Sequence, residues 1–327
     1  MTLRPPGLAL GVDVGGTKVL GLLVDAAGVV LARRLVATPQ LDCSDLGERV
    51  ADSVAELVTE LIAAEGVEGD ELALGVGMPG MMGLDGVLLF APNLKSASGA
   101  DMVSLLAGRL GGLKASVAND ADCAALAEQR FGAARGHDDV LVVTLGTGIG
   151  GGAIIGGQLL RGGRGFAGEV GHMVIDVNGP ECPCGNRGCW ERFASGSGMG
   201  RIAREAATAG RLSSVVELAG GDPEAVRGEH VTRAALIGDA EALGLIDEVG
   251  WWVARGLANL VCVLDPTCIV IGGGLSDAAS LLAPAAQRHL PALLEAGTER
   301  PEIKVVGASL GPEAGAMGAA ILARSAK

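Results

Sequence analysis

Apolar positions in this chain alternate between short dense runs broken by glycine and longer stretches with helical spacing. Leu8 to Val14, Val19 to Asp25 and Val29 to Val36 are apolar runs separated by Gly15-Gly16-Thr17 and Ala26-Ala27-Gly28, which predicts a three-stranded meander. Val50, Val54, Leu57, Val58, Leu61 and Ile62 recur at helical spacing, so Leu46 to Ala64 reads as a helix. Leu72 to Gly77 and Lys114 to Ala118 read as strands, and Met102 to Leu110 and Asp122 to Phe131 as helices. The opening pattern then returns. Val140 to Leu145 is a strand, Gly146 to Gly152 a glycine turn, Ala153 to Ile155 a second strand, and Gln158-Leu159-Leu160 follows a Gly156-Gly157 turn. Helices follow over Gly198 to Ala209, Val231 to Gly238 and Ala240 to Leu264, then strands over Cys268 to Ile271 and Ile303 to Val306. A last helix runs from about Pro312 to Ala323.

The recurrence implies two copies of one meander-plus-helices unit facing across a cleft, a common place for a small-molecule site. With 327 residues, 49% of them hydrophobic, two domains are expected: residues 1–118, and residues 119–308 carrying a cysteine-rich loop, with residues 309–327 packing back onto the first.

Composition narrows the function. A net charge of −13 opposes phosphate backbones, and with no Tyr, four Phe and three Trp there are few platforms for stacking bases, so no nucleic-acid partner is expected. No apolar stretch is long enough for a membrane span, and Asp13 with the double glycine interrupts the first apolar run before it could serve as a signal peptide. A cytoplasmic protein with no membrane partner is expected. Seven cysteines, three of them within eight residues, favour metal over disulfides in a reducing compartment.

The sharpest chemical signal is Cys182-Pro-Cys184-Gly-Asn-Arg-Gly-Cys189 with His172 upstream, a Cys3His set suited to structural zinc; reduced, unliganded thiols are the alternative. Cys43, Cys123, Cys262 and Cys268 lie in apolar segments and read as small core residues. The glycine turns Asp13-Val-Gly15-Gly16-Thr17-Lys18 and Gly146-Thr147-Gly148-Ile-Gly-Gly-Gly152, with a third at Gly272-Gly273-Gly274, offer amides and hydroxyls to phosphate oxygens, and none is a P-loop. Asp13 is either a turn residue or a water-mediated magnesium ligand. Asn119-Asp120, between a strand and a helix, is either a helix cap or the place of a general base. Glu169 and Glu191 flank the zinc set, as solvated charges or as acceptors for sugar hydroxyls.

Together these motifs resemble the ROK family of sugar kinases and repressors, and its bacterial glucokinases in particular, over nearly the whole chain. The resemblance implies an α/β, duplicated actin-like (ribonuclease H-like) ATPase fold and ATP-dependent phosphorylation of a hexose, with glucose giving glucose 6-phosphate. By resemblance, Asp120 is the catalytic base, Asn93, Asn119, Glu169, His172 and Glu191 contact sugar hydroxyls, and Gly80 contributes a backbone contact. His172, Cys182, Cys184 and Cys189 match zinc ligands. Gly15, Gly16, Thr17, Lys18, Thr147, Gly148 and Gly273 match nucleotide loops, with Asp13 beside them. Magnesium would accompany ATP, and a homodimer or homotetramer is implied. Two departures bear on which sugar is used. The run Ala118-Asn119-Asp120-Ala121-Asp122 replaces the usual Glu-Asn-Asp-Ala-Asn, and Leu94-Lys95-Ser96-Ala97-Ser98 lacks a frequent Trp. The other readings are a kinase for N-acetylmannosamine, another hexose or a cyclitol, a regulator, or a sugar-binding protein. About seven residues before the first strand are too few for a helix-turn-helix.

Overall fold

A computed structural model describes residues 7–39, 44–66, 72–91, 93–274 and 276–325. In chain order the first half contains β1 (Ala9–Val14), β2 (Lys18–Val24), β3 (Val30–Ala37), α1 (Leu46–Glu65), β4 (Ala73–Met78), β5 (Met81–Met82), β6 (Leu88–Phe90), α2 (Met102–Arg109), β7 (Ala115–Asn119) and α3 (Asp120–Arg130). The second half contains β8 (Val140–Leu145), β9 (Ile149–Ile155), β10 (Gln158–Leu159), α4 (Glu191–Ala194), α5 (Gly196–Thr208), α6 (Ser213–Leu218), α7 (Gly228–Leu236), α8 (Ala240–Leu264), β11 (Cys268–Gly272), α9 (Ser276–Leu293), β12 (Lys304–Gly307) and α10 (Ala314–Ser325).

The two large sheets have the same topology. One is ordered β3-β2-β1-β4-β7 and the other β10-β9-β8-β11-β12. In each, the first three strands form an antiparallel meander and the last two join in parallel. This is the duplicated unit that the recurrence of apolar runs predicts. Central strands such as β1 and β11 are buried along nearly their whole length, as parallel strands covered on both faces must be.

One face of the first sheet packs on α1 and α2 through Val50, Val54, Leu57, Leu61 and Leu106. Its other face meets α10 and α3 through small side chains, among them Ala127, Ala316 and Ala320. Gly11 of β1 and Gly75 of β4 lie so close to α10 that an added Cβ would fall on the backbone oxygens of Ala316 and Ala319. The second sheet packs on α3 through Ala125, Val140, Val142 and Val270, and on α5, α7, α8 and α9 through the largest apolar cluster. Helix α3 is thus shared by both sheets.

Three expectations change. Residues 150–152 belong to β9, not to a turn. A Cβ at Gly151 would strike Val170, and at Gly152 the Ala121 carbonyl oxygen, so close neighbours rather than chain reversal require glycine there. Helix α9 is absent from the sequence-based assignment because Pro284 and Pro291 interrupt an otherwise alanine-rich stretch; packing against α8 holds it. Cys262 is exposed on α8, whereas Cys123 and Cys268 are buried as expected, and Cys43 lies outside the described residues. Trp252 stacks on Phe193 with ring centroids 4.2 Å apart, and Trp251 is partly exposed against its edge.

Candidate active site and metal centre

The loop between β1 and β2 is closed by Gly15 N–H donating to Lys18 O (2.9 Å). It is braced by Thr38, whose Oγ1 donates to Gly15 O (2.7 Å) and whose N–H donates to Thr17 O (3.1 Å). Thr17 and Lys18 are left exposed. The loop between β8 and β9 is its counterpart, with Gly146 N–H donating to Gly148 O (3.0 Å) and Thr147 exposed. Gly273, at a φ of 100° that favours glycine, lies against the Leu145 backbone at the end of β8. A narrow cavity opens beside it, lined by Thr144, Gly272, Gly273, Ala308, Gly311 and Ala314.

Asp120 opens α3. Asn119 is the N-cap, its Oδ1 accepting from the N–H groups of Ala121 (2.8 Å) and Asp122 (3.3 Å), while its Nδ2 donates to Gly80 O (2.9 Å). The cap fixes the first turn and so fixes Asp120. Burial raises the Asp120 carboxyl to about 6; amide hydrogen bonds oppose this and the Glu169 charge adds to it. Asp13, at the end of β1, is raised to about 7 by burial and then by Asp120, with Lys18 opposing. Its carboxylate sits against Gly77 of β4 and Gly315 of α10, where a Cβ at Gly315 would collide with it. Glu169 is raised by burial first, opposed by His172 and reinforced by Glu191. Asn93 is exposed beside the first loop, with its Cβ facing Gly16.

The metal set is compact. The ligand atoms of His172, Cys182, Cys184 and Cys189 all lie within 4.8 Å of one another. Cys184 Sγ is 3.6 Å from Cys189 Sγ, and Cys182 Sγ is 3.9 Å from His172 Nδ1. Zinc–ligand bonds of about 2.0–2.3 Å place tetrahedral donors at about this separation, so the set fits zinc. Gly185 and Gly188, both at positive φ, turn the loop between the thiols. Glu191 joins this centre to the second glycine loop: its Oε1 lies 3.2 Å from Cys182 Sγ, and its Oε2 lies 2.5 Å from where a Cβ at Gly148 would be.

The sequence-derived residues therefore converge from two glycine loops, the head of α3 and the cysteine loop. The ROK family pattern matches residues 9–326. The chain belongs to the ROK family. A glucokinase of Streptomyces coelicolor is 38% identical over 323 residues, covering 97% of this chain and 98% of that protein. A ROK family glucokinase from Streptomyces griseus, solved in complex with glucose and AMPPNP, superposes with a TM-score of 0.83 at 38% identity, covering 98% of this chain and 100% of that one. A ROK hexokinase from Thermus thermophilus superposes with a TM-score of 0.78 at 33% identity, covering 97% and 98%. The fold is the actin-like ATPase fold of these kinases, and the chain is an ATP-dependent sugar kinase.

Two members of the site escape sequence reasoning. Gly315 approaches Asp13 from near the other end of the chain, and nothing local marks it. Arg161 lies beside Asp122, so the acid that follows Asp120 by two positions is a buried group with a cation near it.

Proposed function

We propose that this kinase phosphorylates a hexose, glucose foremost, with Asp120 as general base. The observation that carries the reading is the Asp120 carboxyl itself, fixed by the Asn119 cap, placed near Asp13 and Glu169, and titrating close to neutrality. A base so tuned is ionised at neutral pH yet able to accept a proton. The sugar hydroxyl gives its proton to the Asp120 carboxylate, its oxygen forms a bond to the γ-phosphorus of ATP, and the bond to the β-phosphate oxygen breaks to release ADP. Asn93, Glu169, His172 and Glu191 hold the other hydroxyls, with Gly80 contributing backbone and Asn119 fixing it. The loops at Gly15–Lys18 and Thr147–Gly148, with Gly273, hold the nucleotide.

Asp13, at the end of β1 beside the first loop, presents a hard oxygen donor that suits water-mediated contact with magnesium. When bound with ATP, magnesium neutralises charge on the phosphates. His172, Cys182, Cys184 and Cys189 would hold zinc, which would tie down the loop carrying His172 and Glu191, and thiolate ligands suit a reducing cytoplasm. Among the described residues no helix is long and apolar enough to cross a membrane.

The test is a coupled ADP-release assay with Mg-ATP across glucose, mannose, N-acetylmannosamine, N-acetylglucosamine, fructose, allose and a cyclitol. Turnover highest on glucose is expected. Preference for another sugar keeps the mechanism and rejects glucose, and no turnover on the whole panel rejects the hexose reading.

A further inference from the structure

Among the described residues two carboxylates are almost wholly buried, and they differ in one respect. Glu128 is satisfied: it accepts from the N–H groups of Ala133 (2.8 Å), Ser309 (3.0 Å) and Leu310 (2.9 Å). Asp122, 1% exposed, accepts nothing; both its oxygens are buried without a hydrogen-bond partner. The cation beside it is Arg161, whose Nε lies 3.9 Å from Oδ2 and is itself buried without a hydrogen-bond partner. A lone buried carboxylate is costly, so the guanidinium is held in place by a strong demand for charge.

Arg161 stands at the root of a strap. Its Nη2 donates to Val117 O of β7 (3.2 Å), and its own carbonyl accepts from Ala167 N–H (3.2 Å), closing residues 161–167 into a loop. The tip of the loop reaches the hairpin of β5 and β6. There Leu84 N–H donates to Arg164 O (3.3 Å), and Gly165 packs against the backbone of Met82 and Leu84. The strap then passes Gly168, which abuts the Gly151 carbonyl, and delivers Glu169. One side chain thus touches the helix that carries the base and roots the segment that carries a sugar-facing acid.

We propose that Arg161 and Asp122 form a buried positioning pair that fixes the strap to the head of α3 and so holds Glu169 and Asp120 in one frame for phosphoryl transfer. The role assigned to Asp120 in the proposed function underlies this inference. The titratable groups that interact with Asp120 are Asp13 of β1, Glu169 of the strap, and Asp122 and Cys123 of α3; Arg161, next to β10, faces Asp122. Asp122 titrates above Asp120 and is largely protonated where Asp120 titrates, so Asp122→Asn leaves that titration near wild type, whereas Arg161→Met removes the nearby cation and makes both acids harder to ionise.

The experiment compares wild type, D122N, R161M, R161K and the D122N/R161M double variant on the sugar that wild type turns over best. It measures kcat/KM from about pH 5 to about pH 9, and hydrogen exchange of residues 161–168. Each single variant is expected to lose roughly tenfold to a hundredfold in kcat/KM. The acidic limb should stay near wild type in D122N and move up in R161M and in the double variant, and R161K should recover part of the loss. Strap exchange should quicken in both single variants. An R161M limb that stays still, or strap exchange that is unchanged, overturns the proposal; should D122N fail to fold, R161M against R161K decides it. If wild type turns over no sugar, the function reading fails by itself while strap exchange still decides whether the pair fixes the strap.

Discussion

Asp13, Asp120 and Asp122 are all pushed above the ordinary carboxylate range, to about 7, 6 and 7, and in each the first cause is burial. Such a group binds its proton more tightly in the folded protein than in the unfolded chain. Its favourable contribution is complete below the unfolded value near 3.8 and declines as pH rises to the folded value. Asp13→Asn should therefore stabilise the metal-free, ligand-free protein by on the order of 2 kcal/mol at neutral pH and above, a rise of a few degrees in Tm. The gain should be smaller at about pH 5, and thermal melts showing the same gain at both would refute the burial argument. Asp120→Asn should lower kcat by roughly 10²–10⁴-fold while nucleotide affinity, read by calorimetry, stays near wild type. In wild type, kcat/KM should fall below about pH 6 as Asp120 takes up its proton; a profile flat through that region would argue for another base. At this scale the sequence was informative where motif and position coincide. Asn119-Asp120 and the cysteine loop could be picked out, although by its residues alone the former reads as a cap before it reads as a base; the structure shows Asn119 as the cap of α3 with Asp120 in its first turn. Arg161 and Gly315 were invisible because each meets its partner only through the tertiary fold.

Elements were legible where their apolar period was clean. The strands of both meanders and the long helices α1 and α8 follow from spacing alone, because each buries a continuous stripe or both faces. Glycine misled the reading in β9, and proline hid α9, since the reason for each lies in a neighbouring element. The same closeness makes Gly75→Ala a severe change. Its methyl would overlap the Ala319 carbonyl, and since backbone cannot yield as a flexible side chain does, a loss of about 3 kcal/mol or more is expected in denaturant unfolding. An unfolding midpoint close to wild type would mean that α10 can shift. The cysteine loop makes a different demand. It has little regular structure of its own, so His172, the three thiols and Glu191 depend on one another for their placement. Cys184→Ser should lower zinc content and raise the sugar KM together, by roughly tenfold or more; metal loss with an unchanged KM would uncouple the zinc centre from the sugar site.

The whole molecule is two copies of one sheet topology with α3 and α10 between them, and its two glycine loops occupy equivalent positions, each following the first strand of its sheet. That much the repetition in the sequence foretold. The order of manufacture is another matter. A ribosome releases β1 and β4 early, but the helix that lies on Gly11 and Gly75 is α10, drawn from the last stretch of the described chain. One face of the first sheet must wait, partly uncovered, while the entire second sheet and its helices emerge. The half of the enzyme that is made first is therefore the half that is finished last, and a nascent chain halted before α10 would present an open apolar sheet to whatever chaperones attend it.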